Sequence, residues 1–201
     1  MQSRTLALGV GGVAAFLSAA VVSDPVQQSP CEITDVEVAR ILDLPFHEFD
    51  QNPKDGWRPY YASKCYKEAA HLLTDYIALY PDRAEEHYML AFHAGQMFAM
   101  VDEYDKAADL MRKGYSQHSS ATIDWNAFVD ANIAFLENDR EMLVRMRNRI
   151  AKQPVMTAAM GAPNWAIGKK MNLDVADGFI ACFDEVYSVA YEDECRVKGR
   201  E

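Results

Sequence analysis

Four polar side chains on otherwise apolar segments are the best candidates for a binding site in this sequence. His93 and Gln96 lie three residues apart, and Asn126 and Asp130 lie four apart. In a helix each pair shares one face, because residues three and four apart are neighbours on the helix surface. Such a polar face can hold an extended peptide through the peptide backbone. The same pattern also occurs on an ordinary solvated face, where these groups would meet water or bridge neighbouring helices.

The segment of residues 46–59 combines aromatic and charged side chains, and its Asn-Pro and Asp-Gly pairs predict a loop that ends at a proline. Loops of this length with bulky aromatic residues are seldom mere connectors. Two roles fit this loop: it forms a recognition patch, or it covers the open apolar end of the first helices as a cap. The residues concerned are Phe46, Phe49, Trp57 and Arg58.

The same loop carries two carboxylates, Glu48 and Asp50, beside aromatic rings of the kind that stack on sugars. Glycoside hydrolases work with a pair of carboxylates. An envelope glycan hydrolase or lyase is therefore the alternative function. Because 30 of the 201 residues are acidic, a pair of this kind is also expected by chance.

Other catalytic and cofactor signatures are missing from the sequence. No two of the five histidines stand four residues apart, which is the spacing that would place two imidazoles on one helix face for a metal ion. There is no Asp-x-Asp-x-Asp calcium loop, no Gly-x-Ser-x-Gly or Ser-x-x-Lys nucleophile motif and no phosphate-binding loop. We therefore predict a non-enzymatic protein with no metal and no cofactor.

The chain has four cysteines, Cys31, Cys65, Cys182 and Cys195. An even number suggests two disulfides and an oxidising compartment, although buried free thiols are the alternative. Three pairings are possible, of which Cys31–Cys65 with Cys182–Cys195 closes the shortest loops. No Cys-x-x-Cys motif supports a role in thiol–disulfide exchange.

Residues 1–23 differ in kind from the rest, since Arg4 is their only charge and a run rich in Ala and Gly follows it. This layout predicts a cleaved secretory signal peptide, with an uncleaved membrane anchor as the alternative. The formal net charge of −10 argues against nucleic acid and against an anionic membrane surface as partners. It suits an exported protein kept in solution by an acidic surface.

Apolar residues spaced three and four apart predict helices throughout the rest of the chain, and strand signals are absent. We expect an N-terminal arm and aromatic loop over residues 24–59 and a helical domain over residues 60–201. The predicted helices cover residues 35–42, 62–80, 83–101, 102–115, 122–137, 140–152 and 173–191, the last of them a C-terminal cap. A loop of low charge covers residues 154–163.

Two of these segments are near copies of each other. The run from Tyr66 to Ala70 recurs 38 positions later from Tyr104 to Ala108. A degenerate third copy begins at Asp139, 36 positions after Glu103, where the second copy is taken to begin. A period of this length in a helical sequence is typical of stacked helix pairs. With Ala69 and Ala107 in matching places, Gly95 between them and Pro81 at a boundary, residues 60–152 resemble tetratricopeptide repeats. That resemblance implies an all-α, right-handed stack of helix pairs whose groove binds a peptide or a partner protein.

The flanking segments resemble a group of uncharacterised exported bacterial proteins. The similar motifs are Phe49-Asp50-Gln51, Gly56-Trp57-Arg58, Asp177-Gly178-Phe179, Cys182-Phe183 and Ala190-Tyr191. This resemblance implies a bacterial envelope location, periplasmic or secreted, and no particular activity. Our sequence-based hypothesis is thus an exported helical-repeat protein that binds a peptide or an envelope protein.

Overall fold

The computed structural model describes residues 31–118, 120 and 122–199. The predicted signal peptide at residues 1–23 lies outside this part of the chain. Within it the protein is all-helical and contains no strand, which confirms the all-α part of the prediction. The helices are α1 (Asp35–Leu42), α2 (Phe46–Gln51), α3 (Arg58–Ala62), α4 (Tyr66–Leu79), α5 (Ala84–Ala99), α6 (Tyr104–Arg112), α7 (Trp125–Leu136), α8 (Arg140–Ile150), α9 (Leu173–Ala181), α10 (Tyr187–Ala190) and α11 (Asp193–Lys198).

Three helix-to-helix connections use the same turn. Two or three residues after the ends of α3, α5 and α7 the chain passes through a residue with left-handed backbone. These residues are Lys64, Asp102 and Asn138. In each case the next amide bonds back to the carbonyl five residues earlier, as from Cys65 to Tyr60 at 2.8 Å. The amide of the left-handed residue itself bonds to the carbonyl three residues earlier, as from Lys64 to Tyr61 at 2.9 Å. These two hydrogen bonds define the Schellman motif, which ends one helix and here lets the next begin within two residues. The three turns are spaced 38 and 36 residues apart along the chain, as are the sequence copies.

Helices adjacent in sequence pack against one another from α4 to α9, and α11 folds back onto α9. The α5–α6 contact depends on small residues. A Cβ on Gly95 would lie 2.8 Å from the Ala107 carbonyl oxygen, and one on Gly114 would lie 2.8 Å from the Phe92 Cβ. The close approach of the two helices therefore requires glycine at both positions.

The prediction of a loop over residues 46–59 was wrong, because this segment contains α2 and the start of α3. Pro59 occupies the first turn of α3, where its fixed φ suits a helix and its missing N–H is not needed. The Asn-Pro and Asp-Gly turn signals lie in residues 52–56, within the short connection between α2 and α3. There Gly56 has φ +66°, and a Cβ on it would lie 2.1 Å from the Phe49 carbonyl oxygen.

Two long predicted helices are also shorter than expected. The helix predicted over residues 62–80 begins only at Tyr66, after the turn at Lys64. The helix predicted over residues 173–191 stops at Ala181, and α10 and α11 follow as separate short helices. The break at Cys182 lets α11 return to α9, where Gly178 lies close to the Arg196 backbone. Apolar periodicity continued across both breaks, so it gave no sign of them.

The two expected disulfides are present. They pair Cys31 with Cys65 and Cys182 with Cys195, which is the one of the three possible pairings that closes the shortest loops. The first fastens the segment before α1 to the start of α4. The second joins the end of α9 to α11. No helix in the described part of the chain is long and apolar enough to cross a membrane.

The N-terminal arm belongs to the same apolar core as the helical domain. Phe49 is fully buried and stacks on Tyr76 with ring centroids 3.9 Å apart. The Tyr76 hydroxyl donates to the Leu44 carbonyl at 3.0 Å, and the Tyr80 hydroxyl donates to the Leu42 carbonyl at 2.9 Å. These contacts fix α1 and α2 on α4 and so position the residues of the site described next.

Candidate binding pocket

A fully buried carboxylate, Asp50 on α2, organises the most polar cluster of the interior. Its Oδ1 accepts a hydrogen bond from Trp57 Nε1 at 3.1 Å and lies 3.3 Å from His93 Nδ1. The Arg58 guanidinium is 3.8 Å from the same oxygen and donates through Nε to the Asp50 carbonyl. Gln51 donates to the other carboxylate oxygen. A buried charge is tolerated when it is paired and hydrogen-bonded in this way.

The surroundings of Asp50 keep it ionised. Burial alone would raise its pKa, but the hydrogen bond and charge of His93, then the Trp57 indole and the Arg58 charge, outweigh this effect. The net result is a lowered pKa. Because the carboxylate engages Nδ1 of His93, the ring nitrogen left for a ligand is Nε2.

A cavity of about 140 Å³ lies beside this cluster, and we call it the Asp50 pocket. The Trp57 and His93 rings pack with centroids 5.1 Å apart, and the Arg58 guanidinium lies over the indole. On another side of the cavity, the Gln96 side-chain amide donates to the Tyr191 hydroxyl at 3.2 Å. The lining consists of Trp57, Arg58, Tyr61, His93, Gln96, Met97, Met100 and Tyr191. Aromatic and thioether walls with a few convergent polar groups are typical of ligand sites.

The polar groups of the Asp50 pocket are mostly hydrogen-bond donors. Among the described residues, the Arg58 Nη groups and the Tyr61 hydroxyl have no hydrogen-bond acceptor. The Tyr191 hydroxyl accepts from Gln96, and its own O–H likewise has no acceptor there. Burial, followed by the neighbouring tyrosines, raises the pKa of Tyr61, so its hydroxyl stays protonated and able to donate. The pocket is therefore suited to a group with free acceptor oxygens.

A larger cavity of about 620 Å³ adjoins the Asp50 pocket, and Met100 lines both. It runs between the start of α4 and the C-terminal helices, and the Cys182–Cys195 disulfide forms part of its wall. Lys64 and Glu192 are 3.9 Å apart across it.

The second predicted pair, Asn126 and Asp130, lies elsewhere. Asn126 accepts from the Ser116 amide at 2.9 Å and donates to the Ser116 carbonyl at 3.1 Å, which fixes the loop before α7. Asp130 accepts from the Tyr115 hydroxyl, and burial followed by this hydrogen bond raises the pKa of Tyr115 to about 12. Asn126 also lines a separate cavity of about 480 Å³ with Arg149. The four polar residues predicted as one strip thus divide between two places.

The aromatic-loop residues divide as well. Phe49 is buried and Phe46 packs partly against the core, while Trp57 and Arg58 line the Asp50 pocket. Of the two carboxylates considered for glycoside hydrolysis, Asp50 has no exposed surface. Glu48 is half exposed and accepts a hydrogen bond from Asn52 at 2.8 Å.

Tyr61 and Tyr191 are pocket residues that sequence reasoning missed. Tyr61 lies on α3, beside the turn at Lys64, and Tyr191 directly follows α10. Neither position follows from a periodic pattern, because both helices are too short to show one. The Ala190-Tyr191 motif was the only available signal for the second residue.

Within the described residues, one trio of potential ligand atoms is close enough to hold a metal ion, those of Cys31, Cys65 and Glu68. The two cysteines are joined in a disulfide, so their sulfurs are not thiolate ligands.

Comparison with known proteins gives no matching family model, no matching curated protein and no matching solved structure. The geometry of the site therefore carries the functional interpretation.

Proposed function

We propose that this chain is a non-enzymatic binding protein that holds a peptide segment of a partner protein at the Asp50 pocket. One observation carries the proposal. Trp57 and Tyr191, which are 134 positions apart in the sequence, line the same cavity. Side chains of α3 and α5 complete its wall beside a buried ion cluster. Burying a charge such as Asp50 lowers the stability of a fold. This carboxylate is nevertheless present here, beside Arg58 and Tyr61 donor groups that have no acceptor among the described residues.

The chemistry of the lining favours a peptide. Carbonyl oxygens of an extended backbone would accept from Arg58, Tyr61 and Tyr191. An apolar side chain would fit against Met97 and Met100. At about 140 Å³ the pocket is smaller than the roughly 300–1,000 Å³ of sites for whole drug-sized ligands, so it suits a single residue. The adjoining cavity would take the residues next to it.

The wider architecture and location form part of the same proposal. The sequence copies and the three equivalent Schellman turns support a tetratricopeptide-like right-handed stack of helix pairs with capping segments. The two disulfides support an oxidising compartment, which in a bacterium is the periplasm or the exterior. The sequence motifs that resemble those of exported bacterial proteins agree with that location.

The test is site-specific photo-cross-linking in cells of the source organism. A photoreactive residue at Tyr61 is expected to capture one dominant protein, identified by mass spectrometry. The same residue at Leu79, which is exposed and lines neither cavity of the site, should not capture it. Capture should be lost when Arg58→Ala is added, whereas Asn126→Ala with Asp130→Ala should leave it intact.

A peptide from the captured protein should then bind the purified chain in solution. Equal capture at both positions, or capture that survives Arg58→Ala, would refute the pocket as the binding site. Loss of capture with the Asn126 and Asp130 substitutions alone would instead move the site to α7.

A further inference from the structure

The charges of this acidic chain are distributed unevenly. From residue 142 to residue 173 there is no acidic residue at all. The same stretch contains six basic residues, which are Arg145, Arg147, Arg149, Lys152, Lys169 and Lys170. The net charge of −10 therefore conceals one strongly basic region. Arguments from net charge against an anionic surface do not apply to it.

The three arginines of this region are already paired. Arg145 pairs with Glu141, Arg147 with Asp177 at 2.6 Å, and Arg149 with Asp124 at 2.9 Å. The three lysines form no ion pair with any described residue, and only Lys170 has a partner, the Ala151 carbonyl. Three acids line cavities together with the lysines, and each of them has an arginine partner. They are Asp124, Asp174 and Asp177. The positive charge that no described acid neutralises is therefore carried by the three lysines.

Between these lysines the chain forms an exposed segment of residues 154–168, which we call the apolar loop. Four of its large apolar side chains are at least 42% exposed, and Trp165 reaches 64%. The four are Val155, Met160, Trp165 and Ile167. A tryptophan that exposed is rare on a soluble surface unless it serves an interaction.

The apolar loop is held at its base and projects at its tip. The Met156 amide donates to the Lys169 carbonyl at 2.8 Å, and the Gly168 amide donates to the Met156 carbonyl at 2.9 Å. Met156 and Ala166 are buried and anchor the loop. Around Gly161 and Gly168 there is open space, since a Cβ on either would have no neighbour within 4 Å.

We infer that the apolar loop binds the surface of an anionic lipid bilayer, with Trp165 and its apolar neighbours inserted at the headgroup level. Indole rings favour this interface, where one side of the ring is apolar and the other wet. Lysines at the base would lie over the anionic headgroups while the apolar tip enters between them. Nucleic acid would use the lysines but would leave the exposed apolar side chains unused.

The test uses the full chain with its disulfides intact and two kinds of vesicle, phosphatidylcholine alone and phosphatidylcholine with phosphatidylglycerol. Three lysines near a charged surface should give about a hundred-fold tighter binding to the anionic vesicles at low salt. Trp165 emission should shift to shorter wavelength on binding, and Trp165→Phe should abolish that shift. Of the other two tryptophans, Trp57 is buried, and Trp125 is partly buried and donates to the Gly114 carbonyl at 2.7 Å. Both remain in Trp165→Phe, so this variant shows whether the shift comes from Trp165.

Two charge-reversal double variants distinguish an effect of the lysines of this region from an effect of the total charge of the chain. Lys152→Glu with Lys169→Glu should remove the preference for anionic vesicles. Lys67→Glu with Lys113→Glu, which makes the same change at exposed positions elsewhere, should weaken binding much less. Equal weakening by the two pairs would overturn the inference.

Two further outcomes would also overturn it. One is the absence of any emission shift with either vesicle. The other is a shift that grows with protein concentration in the absence of vesicles, because the loop would then be an interface between copies of the chain. Vesicle binding should be unaffected by Arg58→Ala, so the inference stands or falls separately from the Asp50 pocket.

Discussion

The Asp50 pocket and the apolar loop are built on opposite principles. At the pocket, charged and aromatic groups are buried, paired and fixed by neighbours from several helices. At the loop, lysines and apolar side chains are exposed and have few partners among the described residues. A buried cluster of this kind needs the fold to exist, and the fold in turn depends on it. The exposed loop is closed at its base by two backbone hydrogen bonds and anchored by Met156 and Ala166, and its exposed side chains contribute little to the core.

The comparison predicts very different costs for removing one aromatic ring from each region. Phe49→Ala should reduce the free energy of unfolding by about 3–5 kcal/mol, because it leaves a cavity and loses the stack on Tyr76. Trp165→Ala should change it by less than about 0.5 kcal/mol, because that ring is mostly exposed. Urea unfolding of the oxidised chain measures both. Similar losses for the two variants would mean that the loop is part of the core.

A smaller effect is expected from neutralising the buried carboxylate. Asp50→Asn keeps the shape but turns one acceptor into a donor that faces other donors, so we expect a loss of about 1–3 kcal/mol. Glu48→Gln, two residues away on the same helix, is the matched control and should be nearly neutral because Glu48 is half exposed. The two variants are compared by urea unfolding. An unchanged stability for Asp50→Asn would show that the cluster is not a stabilising network.

The pH dependence of stability sharpens the same point. The folded-state pKa of Asp50 is lowered, so its contribution is fully present above the unfolded-state value of about 4. That contribution is lost as the pH falls through the lower, folded-state pKa. Below pH of about 4 the wild-type chain should therefore lose stability more steeply than Asp50→Asn. Thermal unfolding across that range measures the difference, and parallel curves would refute the lowered pKa.

Local signals in the sequence were sufficient for much of the helical framework. Helix α1 has the predicted bounds, and α5, α7 and α8 lie within one to three residues of theirs. Gly95 lies at a close helix contact, as expected from its place between the repeat copies. The errors fall where a local signal is ambiguous. Pro59 can end a helix or begin one, and only the position of α3 against α4 decides between the two.

The site shows the same division. Helical spacing placed His93 and Gln96 on one face, and both line the Asp50 pocket. The spacing carried no information about Asp50, which is 43 positions from His93 and meets it only in the folded chain.

The sequence by itself determined the helical class and most of the helix bounds, because both depend on residues close along the chain. The tertiary structure decided which polar residues are buried together, where α9 ends and which apolar side chains remain exposed. Those outcomes depend on distances between segments far apart in the chain, and side-chain periodicity within one segment does not encode such distances.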